Sequence, residues 1–365
     1  MKVLHVINHI GRKSGAAKLL IDLVDYQSKL GYKVDVVSLV NCEPSYASIL
    51  ENRGLICFTF WNKQINRYNP FSIFKLIPLI RKYDIVHVHL FPSLYWVALA
   101  KFLSFSSCKL IYTEHSTLNN RQGKLLLYPL ECCIYNQYDK LIAISEAVAI
   151  YLYKLTRDRK KVEVIYNGID VNKYHDSKKF PVSYLSLPMN KKYVVQVSRF
   201  AAQKDQMTLI RALMLLPDNY NVVLVGNGEL LLQHKQRVKE LGLDSRVHFL
   251  GLRDDVPLIL KMADIVVLSS NFEGFGLAAV EGMAAGKPVI ASDVPGLAEV
   301  VRGAGLLFKL HDEHELATHI QKLSEDKEYY EEISRRCFMR AKEFDVAIMN
   351  VKYEELYKSL LIEGH

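Results

Sequence analysis

The chain has 365 residues, half of them hydrophobic and 24% charged. That is enough to bury a sizeable core in two domains, and it excludes wholesale disorder, a collagen repeat or a disulfide mini-protein. The net charge of +8 is uneven: residues 1–185 hold 25 basic and 14 acidic side chains, hence +11, and residues 186–365 hold 22 and 25, hence −3.

The opening run 2–8 (KVLHVIN) reads as a buried strand rather than a secretory signal, because His5 and Asn8 break its apolar stretch. In residues 15–30, Ala16, Leu19, Leu20 and Leu23 follow i, i+3, i+4, i+7 spacing, and Gly31 follows as a stop. Strand-like runs recur at 33–39, 85–89, 109–113, 140–145 and 162–166, with helical patterns between them. This alternation implies a parallel sheet covered on both faces. Residues 176–190 carry two prolines and no clear period, and read as a linker. The pattern restarts at 193–198, 221–226, 246–251, 264–270 and 288–292, and residues 327–362 read as two final helices. No run of eighteen uncharged apolar residues suggests a membrane span. The six cysteines form no Cys-x-x-Cys pair, which fits reduced thiols in a cytoplasmic protein.

Residues 264–300 carry the most chemistry. A buried strand ends at Ser269–Ser270, and the loop NFEGFG leads into a helix starting near Gly276. Such a helix start offers unpaired N–H groups and a positive dipole end, and Gly274 and Gly276 let backbone approach a ligand. The turn suits a diphosphate. Glu273 stands at its mouth, and Glu281 lies about 7–8 Å further along the helix axis. Two carboxylates flanking one phosphate turn suit a nucleotide sugar. The plain alternative is a glycine-containing strand-to-helix turn with one solvated and one capping Glu.

The block EGFGLAAVE followed by GMAAGKPVIAS resembles the Glu-x7-Glu signature of retaining glycosyltransferases of family four, which have the GT-B fold. Ser14–Ala17 after the first strand, YDIVHVH (83–89), TEHS (113–116), LIAIS (141–145), VIYNGID (164–170), VSRFAAQKD (197–205) and VLVGNGE (223–229) resemble the family in the same order. The resemblance is weaker over residues 41–82 and 118–135. It implies that Glu273 meets donor-sugar hydroxyls, and that backbone N–H groups of Phe275, Gly276 and Leu277 hold the sugar and distal phosphate. It implies that Glu281 takes the ribose hydroxyls, and that Arg199 and Lys204 are the two diphosphate-binding cations. His115 matches the histidine that faces the donor sugar from the N-terminal domain, Gly15 the glycine that approaches the phosphates, and Leu252 and Arg253 the loop beside the nucleobase. Fixed cations fit the chemistry, since a departing diphosphate gathers negative charge.

Two look-alikes are set aside. Val225–Gly228 begins like a dinucleotide fingerprint, but Leu231 stands where the third glycine is needed. No Asp-x-Asp occurs, so no metal site is expected; His87 and His89 share a strand face, but spacing suggests no third ligand. Residues 61–82 mix Trp61, Tyr68, Phe71, Phe74, Leu76 and Ile77 with Lys63, Arg67, Lys75, Arg81 and Lys82. This composition suits a short interfacial patch on an anionic membrane, against the alternative of an ordinary amphipathic helix over the sheet. No recognition helix or basic-aromatic strand motif points to nucleic acid.

The expected fold class is therefore α/β, GT-B, two Rossmann-like domains with parallel sheets facing a cleft. Residues 1–175 would form the acceptor domain, 176–189 the linker, 190–345 the nucleotide-sugar domain, and 346–365 a C-terminal helix crossing back to the first domain. The expected reaction is metal-independent transfer of a hexosyl group, with retention, from a nucleoside diphosphate sugar to a saccharide or lipid-linked acceptor hydroxyl. A UDP-sugar is favoured over a GDP-sugar, and no cofactor is expected. The setting would be surface polysaccharide, lipopolysaccharide or glycolipid assembly, in the cytoplasm or peripherally on the cytoplasmic membrane face. The alternatives are a nucleotide-sugar epimerase of the same fold and a catalytically silent glycosyltransferase-like subunit.

Overall fold

The computed structural model describes residues 1–12, 14–62, 66–117 and 127–362. Thirteen strands fall into two sheets among these residues. The first sheet contains β1 (Lys2–Ile7), β2 (Lys33–Val40), β3 (Ile56–Trp61), β4 (Ile85–His89), β5 (Lys109–Glu114), β6 (Lys140–Ala143) and β7 (Val162–Val164). Their order is β3-β2-β1-β4-β5-β6-β7, and every neighbouring pair is parallel. The second contains β8 (Lys192–Val197), β9 (Tyr220–Val225), β10 (Val247–Gly251), β11 (Ile265–Leu268), β12 (Val289–Ser292) and β13 (Leu306–Phe308). Its order is β10-β9-β8-β11-β12-β13, again wholly parallel.

Both sheets are doubly wound. The strand order reverses between β1 and β4 in one and between β8 and β11 in the other. Central strands are buried on both faces, with Val3, Leu4, Val6 and Ile7 of β1 and Ile265, Val266 and Val267 of β11 at 0–1% exposure. That is why they read as near-continuous apolar runs. A doubly wound sheet binds ligands beyond the C-terminal ends of the strands at the reversal.

The chain divides into two compact units, Met1–Asn167 with Ala347–His365, and Gly168–Val346. The division falls at 167/168 rather than at 175/176. Residues 168–175 belong to the second unit because the Ile169 N–H donates to the Phe344 carbonyl at 3.0 Å and the Val346 N–H to the Ile169 carbonyl at 2.8 Å. The expected linker holds one short 3-10 turn, Val182–Leu185. The final helix, Val346–Ile362, lays Met349, Asn350, Tyr353, Leu356, Tyr357 and Leu360 into the first unit's core. No helix among the described residues is long and apolar enough to cross a membrane.

Candidate active site

In the second unit the sequence-predicted residues gather beyond β8 and β11. The loop after β8 carries Arg199 and Lys204; the turn after β11 carries Glu273 and leads to the helix Leu277–Ala284. Lys204 Nζ donates to Glu273 Oε1, and Ser270 Oγ donates to the same oxygen at 2.9 Å. Glu273 is 7% exposed. A carboxylate so covered exchanges water for such partners. Arg199 is far more open: its guanidinium donates to Glu229 at 2.9 Å, and both side chains are mostly exposed. The Glu229 carboxyl is held below its usual range by its own backbone N–H, with the Arg199 charge adding to this.

The turn is shaped by glycines. Gly276 caps the helix at φ 93°, and a Cβ there would meet the Leu297 side chain at 2.5 Å. Gly282 sits on β11, where a Cβ would lie 2.8 Å from Val266. Gly296, at φ 81°, packs against the carbonyls of Glu273 and Gly274, where a Cβ would overlap both oxygens. Phe275 points its ring into the core, T-shaped on Phe344 with centroids 5.2 Å apart. Only its backbone can serve a ligand. Gly226 and Gly228, read above as a broken dinucleotide fingerprint, have another use. Their missing side chains admit the backbone of Ser198 and Phe200, so the Arg199 loop lies flat on the β9 loop. Gln206 Nε2 fastens the same loop, donating to Ser198 Oγ at 2.8 Å and to the Arg199 carbonyl at 2.9 Å.

Glu281, 8% exposed, accepts from the Tyr174 hydroxyl at 2.6 Å. Tyr174 lies on the helix Val171–His175 just after the YNGID run. Sequence reasoning did not find it, since nothing local links positions 107 residues apart. Leu252 follows β10 and is 54% exposed; its neighbour Arg253 is clamped on Asp255 by bonds of 2.8 and 2.5 Å.

The first unit carries the other expected residues. Gly15 opens the helix Gly15–Lys29 after β1, and the Ala17 N–H donates to Ser14 Oγ at 3.3 Å. His115 follows β5 and is part-exposed, and its backbone N–H donates to Glu114. The third histidine that spacing did not supply is His5. The ring nitrogens of His5, His87 and His89, all buried, lie within 4.8 Å of one another. Hydrogen bonds occupy both nitrogens of each ring. His5 meets Gln27 at 2.9 Å and His89 at 3.2 Å, His87 meets Tyr357 at 2.5 Å and Thr113 at 2.7 Å, and His89 also meets His115 at 3.4 Å. The cluster is a hydrogen-bonded network, and a cation would have to break it. Burial pulls the pKa of His5 and His115 down to about 4, and those of His87 and His89 well below the usual imidazole value.

The patch at 61–82 is divided in its use. Phe71 and Phe74 are 63% and 65% exposed. Lys75 lies 3.8 Å over the Trp61 ring and donates to the Phe60 carbonyl, and Arg81 clasps the Ser104 carbonyl. Lys63 lies outside the described residues.

Two wholly parallel, doubly wound units in one chain are the architecture of the GT-B fold. The family model of glycosyl transferases group 1 matches residues 183–338, and that of glycosyltransferase family 4 matches residues 13–173. A UDP-Gal:alpha-D-GlcNAc-diphosphoundecaprenol alpha-1,3-galactosyltransferase from Escherichia coli is 30% identical over 70% of this chain and 70% of its own. An N-acetyl-alpha-D-glucosaminyl L-malate synthase from Bacillus anthracis is 28% identical over 76% of this chain and 75% of its own. The Anabaena protein HepE, solved with UDP-glucose, superposes with a TM-score of 0.86 at 27% identity, over 98% of this chain and 100% of that one. The chain belongs to the group 1, family 4 glycosyltransferases, and it is a transferase of the hexosyltransferase type.

Proposed function

We propose that the enzyme moves a sugar from a UDP-sugar to a hydroxyl of a saccharide or lipid-linked acceptor, with retention and without a metal or other cofactor, in assembly of a surface polysaccharide, lipopolysaccharide or glycolipid. The observation that carries this reading is the pairing at the carboxyl edge of the second sheet: Glu273 bound to Lys204 and Ser270, and Glu281 bound to Tyr174, on either side of one glycine-shaped turn. Glu281 is suited to ribose hydroxyls and Glu273 to hydroxyls of the donor sugar. The N–H groups of Phe275, Gly276 and Leu277, with Lys204 and Arg199, are suited to the diphosphate. His115 is suited to a hydroxyl of the sugar. The bond from the anomeric carbon to the diphosphate breaks, and the acceptor oxygen bonds on the same face. Its proton passes to the departing diphosphate. The cations stabilise charge that grows as this bond breaks, which is where binding energy accelerates a reaction.

The uridine base is supported by HepE, solved with UDP-glucose, and a lipid-linked acceptor by the diphosphoundecaprenol named for the Escherichia coli relative. The open Phe71 and Phe74 and the basic first half support contact with an anionic membrane surface. A panel of UDP- and GDP-sugars, screened for slow hydrolysis and then for transfer with the anomeric product read by NMR, tests the reaction. One UDP-sugar should be consumed with retention, also in EDTA. An inverted product, or loss in EDTA reversed by a divalent ion, would overturn the corresponding part. Co-sedimentation with anionic vesicles at low salt, absent with neutral ones, tests the membrane part.

A further inference from the structure

The buried histidines have a direction. A neutral imidazole carries one N–H and one bare nitrogen, so a file of them can be ordered in only two ways. Gln27, 2% exposed, turns its carbonyl oxygen Oε1 to His5 Nε2 at 2.9 Å. With the Gln27 amide turned this way its carbonyl oxygen only accepts, so His5 carries its proton on Nε2 and leaves Nδ1 bare. His5 Nδ1 lies 3.2 Å from His89 Nε2, so His89 must donate from Nε2 and leave its own Nδ1 bare. His89 Nδ1 lies 3.4 Å from His115 Nε2, so His115 donates in turn. The file ends on His115, the one part-exposed member, with Nδ1 bare.

A second branch holds the file in place. The His87 ring packs against that of His89 with centroids 4.2 Å apart. Its own nitrogens are taken by Tyr357 and Thr113, and Thr113 Oγ1 also meets the Tyr353 hydroxyl at 3.2 Å. Both tyrosines come from the final helix. Burial keeps all four imidazoles neutral near pH 7, the state in which the file can be ordered.

We infer that Gln27, His5 and His89 are positioning residues that lock His115 as its Nε2–H tautomer, so that His115 offers a bare Nδ1 and takes a hydroxyl or amide N–H of the substrate, never a phosphate oxygen. This deepens the proposed reading and rests on it for the statement that His115 meets the donor. A bare ring nitrogen repels phosphate oxygens and accepts from sugar hydroxyls. The lock therefore selects which part of a nucleotide sugar can lie at His115.

The test uses the full chain labelled with 15N-histidine, with two-bond proton–nitrogen correlations at pH 7 and the His115 signals identified by their loss in His115→Gln. His115 should show a pyrrole-type Nε2 and a pyridine-type Nδ1. Gln27→Glu keeps an acceptor and should keep that pattern. Gln27→Met removes it and should give a mixture. If the two tautomers become equally populated, the apparent donor affinity should weaken about twofold, as expected when half the molecules are competent. A pyridine-type Nε2 in the wild type, or a pattern unmoved in a folded Gln27→Met, would overturn the lock. Unchanged turnover in His115→Ala would instead overturn the donor-facing reading of His115, whatever the spectrum shows.

Discussion

At the scale of single residues, the second unit spends its cations unequally. Lys204 is tucked against Glu273, with side chains 21% and 9% exposed, whereas Arg199 and Glu229 meet at 70% and 54%. An exposed ion pair contributes between nothing and about 1 kcal/mol, so in the proposed reaction Arg199 can leave Glu229 for a diphosphate with little loss. Lys204 also supports the carboxylate beside it. Lys204→Met should therefore lower turnover by about 10²-fold or more, as removal of one stabilising donor does elsewhere. It should also lower the melting temperature, because the covered Glu273 carboxylate loses the cation that faces it. Adding Glu273→Gln should recover the stability and none of the turnover. Differential scanning calorimetry beside initial rates measures both. Full stability in Lys204→Met alone would show that the pair carries no structural weight.

At the scale of elements, the active turn depends on backbone passing where a side chain cannot. Gly296 belongs to the loop after β12, yet it presses on the carbonyls of Glu273 and Gly274. Gly296→Ala adds a Cβ where the left-handed φ already disfavours one. It should push the turn away, costing more than the roughly 1–2 kcal/mol that a side chain meets in the left-handed region alone, and with it most of the turnover. A variant with wild-type rates would show that the turn tolerates displacement. The central strands and the Glu273–Glu281 turn were legible in the sequence because burial on both faces writes an apolar run, and a tight turn writes glycines at fixed offsets. The two missed strands, β3 and β13, are edges of their sheets. β3 shows no fully buried residue, and β13 has three residues, so neither carries a core signal. Tyr174, Gln206 and His5 were not legible as partners, because each meets its site residue through the fold and not through any local period.

At the scale of the whole molecule, pH should act through the first unit's core. His5, His87, His89 and His115 all have pKa values below the ordinary 6.5, those of His5 and His115 at about 4. In the unfolded chain they take up protons as pH falls through about 6.5; folded, His5 and His115 resist until about 4. The unfolded state thus binds more protons in that window, and stability present above about 6.5 is lost on acidification. The difference for His5 alone corresponds to on the order of 3 kcal/mol. Both tryptophans, Trp61 and Trp96, lie in the first unit, so their emission follows its unfolding. The urea midpoint by tryptophan emission should fall steeply between pH 7 and pH 5. A flat midpoint over that range would mean that the imidazoles titrate normally in the native state.

The division of the chain gives the histidine core a timetable. The first unit is interrupted after Asn167 and resumes only at Ala347, with residues 168–346 forming the second unit in the interval. A ribosome adding roughly 5–20 residues per second needs on the order of 10–40 s to cross that stretch. During that time Tyr353 and Tyr357 do not yet exist, and the nascent sheet holds His87 and Thr113 without the hydroxyls that later meet them. The second unit can close in the order in which it is made. The first must wait, with polar groups and an uncovered apolar face in its middle. Nascent chains stalled before residue 347 should therefore expose the first unit to chaperones and proteases while the second is already protected, although the first is the earlier to be translated.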